Sequence, residues 1–144
     1  MSGRGLAAAT APARRKSTLL YVEDNRSNVR LIERVLAVKR AEVTLLVASG
    51  GELGLELARS HPPDAVLLDL NLPDIPGEDV LRELRADPRT RDLPVAIVSA
   101  DAMPDQIERL LAAGARAYLT KPFDLARLIA VVDELLANGP REAP

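Results

Sequence analysis

From residue 19 onward, short, solidly apolar runs alternate with segments whose apolar residues recur at helical spacing, and a chain patterned this way folds as a parallel sheet with crossover helices. The runs at 19–22, 43–47, 65–68, 95–98 and 117–119 are the predicted strands. Their unbroken apolar character suits strands covered on both faces, where an exposed face would impose polar alternation. Between them, Val29, Ile32, Val35 and Leu36 mark a first amphipathic helix, and Ile107, Leu110 and Leu111 a fourth. Leu125, Leu128, Ile129, Val132, Leu135 and Leu136 mark a fifth, and shorter stripes predict the second and third at 51–60 and 77–86. Pro62 and Pro63 close helix two, Pro88 follows helix three, Gly114 stands at a helix C-cap position and Asp124 at an N-cap. The economical architecture is a doubly wound α/β domain with a five-stranded parallel sheet and five helices.

A chain of 144 residues supports one such core and not two. Its hydrophobic share of 47% and charged share of 28% belong to a globular chain and not to a disordered one. A formal net charge of -2 gives no basic footprint for direct nucleic-acid binding. Arg82, Arg85, Arg89 and Arg91 form a local basic run, but Glu83, Asp87 and Asp92 interleave with it, so it is read as a solvated face. Without cysteine there is no disulfide framework, thiolate metal site or cysteine nucleophile, which fits a reducing cytoplasm. No apolar run reaches the roughly 18 to 20 residues a membrane span needs. Near the N-terminus an alanine-rich stretch precedes Arg14, Arg15 and Lys16, the reverse of signal-peptide order. Residues 1–17 are therefore read as a flexible tail, 18–137 as the folded domain and 138–144 as a short C-terminal tail.

Ligands of an open parallel sheet bind beyond the carboxyl ends of its strands. Strand one runs into Glu23 and Asp24, strand three into Asp69, strand four into Ser99, and strand five, past Thr120, into Lys121. Right-handed crossovers bring these ends to one edge. Carboxylates so gathered repel one another and raise each other's pKa unless a cation neutralises them, and an all-oxygen donor set suits Mg²⁺. Lys121 and Ser99 add a charge and a hydroxyl for oxygens that a metal alone leaves unsatisfied, which is equipment for phosphoryl transfer.

The motifs Tyr21-Val22-Glu23-Asp24-Asn25, Asp69-Leu70-Asn71-Leu72-Pro73 with Gly77, Ser99-Ala100 and Tyr118-Leu119-Thr120-Lys121-Pro122-Phe123 resemble, in order and spacing, the response regulator receiver domains of two-component signalling. The resemblance implies a flavodoxin-like sheet of strand order 2-1-3-4-5. It implies Asp69 as phosphoacceptor, and Mg²⁺, replaceable by Mn²⁺, held by Asp24, Asp69 and the Asn71 backbone carbonyl, with Glu23 acting through water. Ser99 and Lys121 would hold the phosphoryl oxygens, Ala100 would leave them room, Tyr118 would be the switch aromatic, and the Lys121–Pro122 bond would be cis. A sensor histidine kinase or phosphotransfer protein would supply the phosphoryl group. The readout would be a downstream protein or self-association, through the face of helix four, strand five and helix five. Such a chain is a signalling switch that assists its own aspartyl phosphorylation and dephosphorylation, not a turnover enzyme.

Each residue alone has a plainer reading: Glu23 and Asp24 as acidic residues at a helix start, Asp69 as a turn residue, Lys121 as a surface lysine, Tyr118 as packing. Their joint placement at strand ends favours chemistry. His61, the one histidine, lies at the end of helix two beside Pro62 and is read as a surface residue. A receiver-like module working without phosphorylation is a competing function, as is the terminal receiver piece of a hybrid kinase. A flavin carrier would need a glycine-rich phosphate loop after strand one, and an aspartate-nucleophile phosphatase a substrate-handling cap.

Overall fold

The computed structural model describes residues 16–137, so residues 1–15 of the tail expected at 1–17, and the tail expected at 138–144, lie outside the described residues; Ser17, expected in the tail, belongs instead to the first strand, where it pairs with Val43. Strands and helices alternate along the chain: β1 (Ser17–Val22), α1 (Arg26–Lys39), β2 (Val43–Ala48), α2 (Gly51–Ser60), β3 (Ala65–Asp69), α3 (Gly77–Ala86), β4 (Val95–Ser99), α4 (Pro104–Ala112), β5 (Ala117–Thr120) and α5 (Leu125–Leu135). The strands form one five-stranded sheet in the order β2-β1-β3-β4-β5. All pairs are parallel, with Leu20 opposite both Leu46 and Val66, Leu68 opposite Ile97, and Val98 opposite Leu119.

Successive side chains on a strand face opposite sides, so each strand feeds two cores. Leu19, Tyr21, Leu67, Val98 and Leu119 pack with Ile32 and Leu36 of α1 and Leu128 and Val132 of α5. Leu20, Val22, Leu68 and Ile97 pack on the other side with Leu55 of α2, Val80, Leu81 and Leu84 of α3, and Leu110 of α4. Residues Leu19 to Val22 are at most 1% exposed, as a strand buried on both faces must be. Edge strand β2 is only half-buried over Val43, Leu45, Leu46 and Val47.

The expectations for Leu111, Leu125 and Arg85 need correction. Leu111 and Leu125 belong to the apolar stripes of α4 and α5 yet are 44% and 48% exposed, because α4 reaches the core through Leu110 and α5 through Leu128, Val131, Val132 and Leu135. Arg85 is not part of a solvated face: half-buried, it donates to the carbonyls of Arg91 (3.0 Å) and Gly114 (2.7 Å) and stitches the end of α3 to the α4–β5 turn. Gly114 holds that turn at φ 110°, a backbone conformation in which a Cβ would be strained. Arg82 and Arg89 are exposed as expected, paired with Asp79 and Asp87.

Helix α2 starts after Gly50, which has no side chain to cap it. Asp74 of the β3–α3 loop does so instead, accepting from Gly51 N (2.8 Å) through Oδ1 and from Glu52 N (2.9 Å) through Oδ2. These two N–H groups, Glu52 first, hold the Asp74 carboxyl down at about 2. Asp74→Ala is expected to speed hydrogen exchange at Gly51 and Glu52 several-fold and to lower the melting temperature. A depressed carboxyl stabilises above its unfolded value and loses that contribution as the pH falls through the folded one, so native and variant melting points should converge only as the pH drops through about 2.

Candidate functional site

Because β1, β3, β4 and β5 are parallel, their carboxyl ends share one edge, and Glu23, Asp24, Asp69, Ser99 and Lys121 all follow or end those strands. Gly77 keeps the edge compact: its N–H donates to Leu70 O (2.9 Å), and a Cβ there would overlap the Asp69 carbonyl oxygen. Only glycine lets α3 begin this close beneath the loop that aims Asp69.

Glu23 and Asp69 are 1% and 2% exposed, whereas Asp24 is open to solvent. One carboxylate oxygen from each of the three lies within 4.8 Å of the others. Lys121 Nζ sits between the two buried ones, 2.7 Å from Glu23 Oε1 and 3.2 Å from Asp69 Oδ2. The Lys121–Pro122 bond is cis, as the resemblance implies. Glu23 Oε1 also accepts from the Tyr21 hydroxyl (2.9 Å) and Asn28 Nδ2 (3.3 Å), and Glu23 Oε2 from Asn25 N (3.3 Å). Asn71 N donates to Asp69 Oδ1 (3.3 Å), so the loop after β3 folds back on the carboxylate.

Burial pushes the Glu23 carboxyl up, but hydrogen bonds with Lys121, Asp69 and Tyr21 outweigh it and hold the group below its usual value. Asp69 takes the opposite part and rises to about 6, through burial first, then the hydrogen bond and charge of Glu23; Lys121 and Asn71 N–H oppose the rise. Burial opposes the charge on Lys121, yet its two carboxylate partners raise it. In the metal-free chain the fold thus favours a proton on Asp69. A carboxyl raised on folding binds more protons in the native than in the unfolded state between its two values, so stability falls as pH rises from about 4 to about 6. Two-unit shifts correspond to roughly 3 kcal/mol, the upper bound for this change, and denaturant melts without divalent cation should show it. Saturating Mg²⁺ should flatten the slope, because the cation takes over the neutralisation.

One ammonium cannot balance three close carboxylates, and the donors are all hard oxygens, so the residues present fit a small divalent cation. Ser99, 1% exposed, donates from Oγ to Asp101 Oδ1 (3.4 Å) and accepts from Asp101 N (3.3 Å). The half-buried Tyr118 donates its hydroxyl to Ser99 O (3.3 Å), and Lys121 N donates to the same carbonyl (3.0 Å). Ala100 next to Ser99 is exposed. His61 is on the surface at the end of α2, its Nδ1 2.9 Å from Ser60 Oγ.

Sequence reasoning assigned no role to Tyr21, Asn28 or Asp101. Tyr21 had a readable clue, since two residues before Glu23 on a strand puts both on one face. Asp101 gave none, because its link to Ser99 depends on the path of the β4–α4 loop. Among the described residues no helix is long and apolar enough to cross a membrane.

Residues 19–133 match the family model of the response regulator receiver domain. The chain is 36% identical over 122 residues to the polar-differentiation response regulator DivK of Brucella ovis, covering 85% of this chain and 98% of the relative. Among solved structures it is similar to the receiver domain of the sensor histidine kinase PA1611 from Pseudomonas aeruginosa PAO1, which holds a magnesium ion in its active-site cleft. That likeness has a TM-score of 0.75 at 30% identity, over 84% of this chain and 98% of that one. It is also similar to the Mn²⁺-bound form of the response regulator Rcp1, with a TM-score of 0.72 at 26% identity, over 84% and 92% of the two chains. A family pattern spanning nearly the whole described chain, laid on a sheet that gathers its motif residues at one edge, means that the protein belongs to the response regulator receiver domain family.

Proposed function

We propose that Asp69 accepts a phosphoryl group from the phosphohistidine of a sensor histidine kinase or phosphotransfer protein, and that this changes a protein-binding surface. The observation that carries the reading is the position of Asp69, buried among carboxylates with the Lys121 ammonium 3.2 Å from its Oδ2. An ionised Asp69 oxygen attacks phosphorus, an O–P bond forms as the N–P bond of the donor breaks, and the imidazole leaves with the bonding pair. Asp24, Asp69 and the Asn71 carbonyl would hold Mg²⁺ or Mn²⁺ directly, and Glu23 would hold it through water. When bound, that ion supplies positive charge that lets an anionic donor approach an anionic nucleophile.

Lys121 is already placed to offer a proton donor to a phosphoryl oxygen. The Ser99 hydroxyl is held to Asp101 by a long 3.4 Å bond, so it can turn toward the same group. Tyr118 bonds the Ser99 carbonyl, which links that turn to β5 and to the face of α4, β5 and α5. Phosphorylation then biases an existing equilibrium and does not create a new state, because one charged hydrogen bond contributes on the order of 1 to 3 kcal/mol. The reading places the protein in the cytoplasm, as a phosphorelay component without direct contact to nucleic acid or membrane. Likeness to the receiver of a sensor histidine kinase also supports the chain as the receiver piece of a hybrid kinase.

Incubation with acetyl phosphate and Mg²⁺ tests the transfer by intact mass. One phosphoryl group per chain is expected, and none with excess chelator; equal labelling in chelator contradicts the reading. The output step is tested with a beryllofluoride phosphoryl mimic. Amide shifts should extend into residues 105–136 in the native chain and stay near Asp69 in Ser99→Ala. Shifts confined to the pocket in both proteins contradict the output mechanism.

A further inference from the structure

Glu23 is the most enclosed charge at the site, and Tyr21, itself fully buried, donates to its carboxylate. The tyrosine lies two positions earlier on β1, so both side chains stand on the α1/α5 side of the sheet, its ring packed in that core and its hydroxyl reaching Glu23 Oε1 at 2.9 Å. A buried tyrosine hydroxyl needs a partner, and here the partner is a carboxylate.

The two oxygens of Glu23 are not equivalent. Oε1 accepts from Tyr21 (2.9 Å), Lys121 (2.7 Å) and Asn28 (3.3 Å), while Oε2 accepts a long bond from Asn25 N (3.3 Å). Three donors hold the first oxygen; the second is held more loosely, beside the Asp69 carboxyl that also bonds Glu23. Of the donors to Oε1, Lys121 is shared with Asp69, and Asn28 is long and part-exposed. The Tyr21 hydroxyl bonds Glu23 and not Asp69.

We propose that Tyr21 is a positioning residue for the cation site: its hydroxyl fixes the Glu23 carboxylate by Oε1 and leaves Oε2 to face the water of a bound divalent ion. This rests on the functional reading above and adds to it a residue that does not touch the ion. Hydrogen-bond partners that orient a metal's ligands typically contribute ten- to a hundredfold in affinity, and because Glu23 acts through water the lower end applies.

Calorimetric titration of Mg²⁺ into the phosphate-free chain, Tyr21→Phe, Glu23→Gln and the double variant tests it. Tyr21→Phe should bind Mg²⁺ about tenfold more weakly, and the double variant no more weakly than Glu23→Gln alone, since the phenol then has no carboxylate to orient. In acetyl phosphate labelling, the half-saturating Mg²⁺ concentration of Tyr21→Phe should rise by a similar factor while the maximal rate stays within about twofold, a split that general loss of structure would not produce. Unchanged Mg²⁺ affinity in Tyr21→Phe, or a fully additive loss in the double variant, overturns the proposal. Should Tyr21→Phe fold too poorly to titrate, the native chain carrying 3-fluorotyrosine, assigned with Tyr118→Phe, gives the answer. Its Tyr21 fluorine resonance should move with the calorimetric midpoint, and a resonance indifferent to saturating Mg²⁺ overturns the proposal. If the native chain binds no Mg²⁺, the functional reading falls and this one with it. If it binds, and Asp24→Asn abolishes binding while Tyr21→Phe does not change it, only this one falls.

Discussion

Asp69→Asn is expected to abolish phosphoryl acceptance while leaving a folded domain that is more stable than the native chain near pH 7 without metal. Asparagine keeps the shape of the side chain but has no anionic oxygen to attack phosphorus, so labelling should drop by on the order of a thousandfold or more. The stability gain has a separate cause. Asp69 is pushed up to about 6 because burial and the adjacent Glu23 disfavour its charge, so above that value the native state holds a carboxylate it would sooner keep protonated. Removing that charge leaves Lys121 paired with Glu23 at 2.7 Å. The gain should reach up to about 3 kcal/mol near pH 7 and vanish toward pH 4, and urea melts at the two pH values measure it. Labelling of the variant at the native rate contradicts the assignment, and an unchanged pH slope contradicts the electrostatic account.

Lys121→Ala should have the second largest effect, in the opposite direction on stability. It strands Glu23, 1% exposed, without a cationic partner, leaving it Tyr21, Asn28, the Asn25 N–H and the neighbouring Asp69 carboxyl. Removing one member of a buried ion pair costs about 3 to 5 kcal/mol, and since Lys121 is itself 18% exposed the loss should sit near the low end. Mg²⁺ should restore much of it, because the cation replaces the missing charge. The variant should still bind metal, yet beryllofluoride should no longer perturb the amides of residues 105–136. A full response there would remove Lys121 from the switch.

The sheet and the acidic edge were legible in the sequence because they follow from local pattern. Solid apolar runs at residues 19–22, 65–68 and 95–98 have no exposed face, and the polar residue that ends each run falls at the strand's carboxyl end, so Glu23, Asp69 and Ser99 were placed by the same rule. What was not legible depends on loops meeting across the fold. Asp74 caps α2 from 23 residues away in sequence, and Arg85 reaches the Gly114 carbonyl 29 residues on; neither spacing carries a periodic signature. The glycine pair at 50 and 51 was the one hint, since a helix that starts on glycine must find its cap elsewhere. Leu111 was misplaced because periodicity shows which side of a helix is apolar but not how much of that side the sheet covers.

Chemical mapping of the phosphorylated residue tests the central claim most directly. The chain is incubated with acetyl phosphate and Mg²⁺, the acyl phosphate is reduced with borohydride, and the digested peptides are sequenced by mass spectrometry. The account predicts one modified residue, Asp69 converted to homoserine, and no conversion when chelator replaces Mg²⁺. Conversion at Glu23 or Asp24 with Asp69 intact, or none at all under conditions in which the chain binds Mg²⁺, would contradict it.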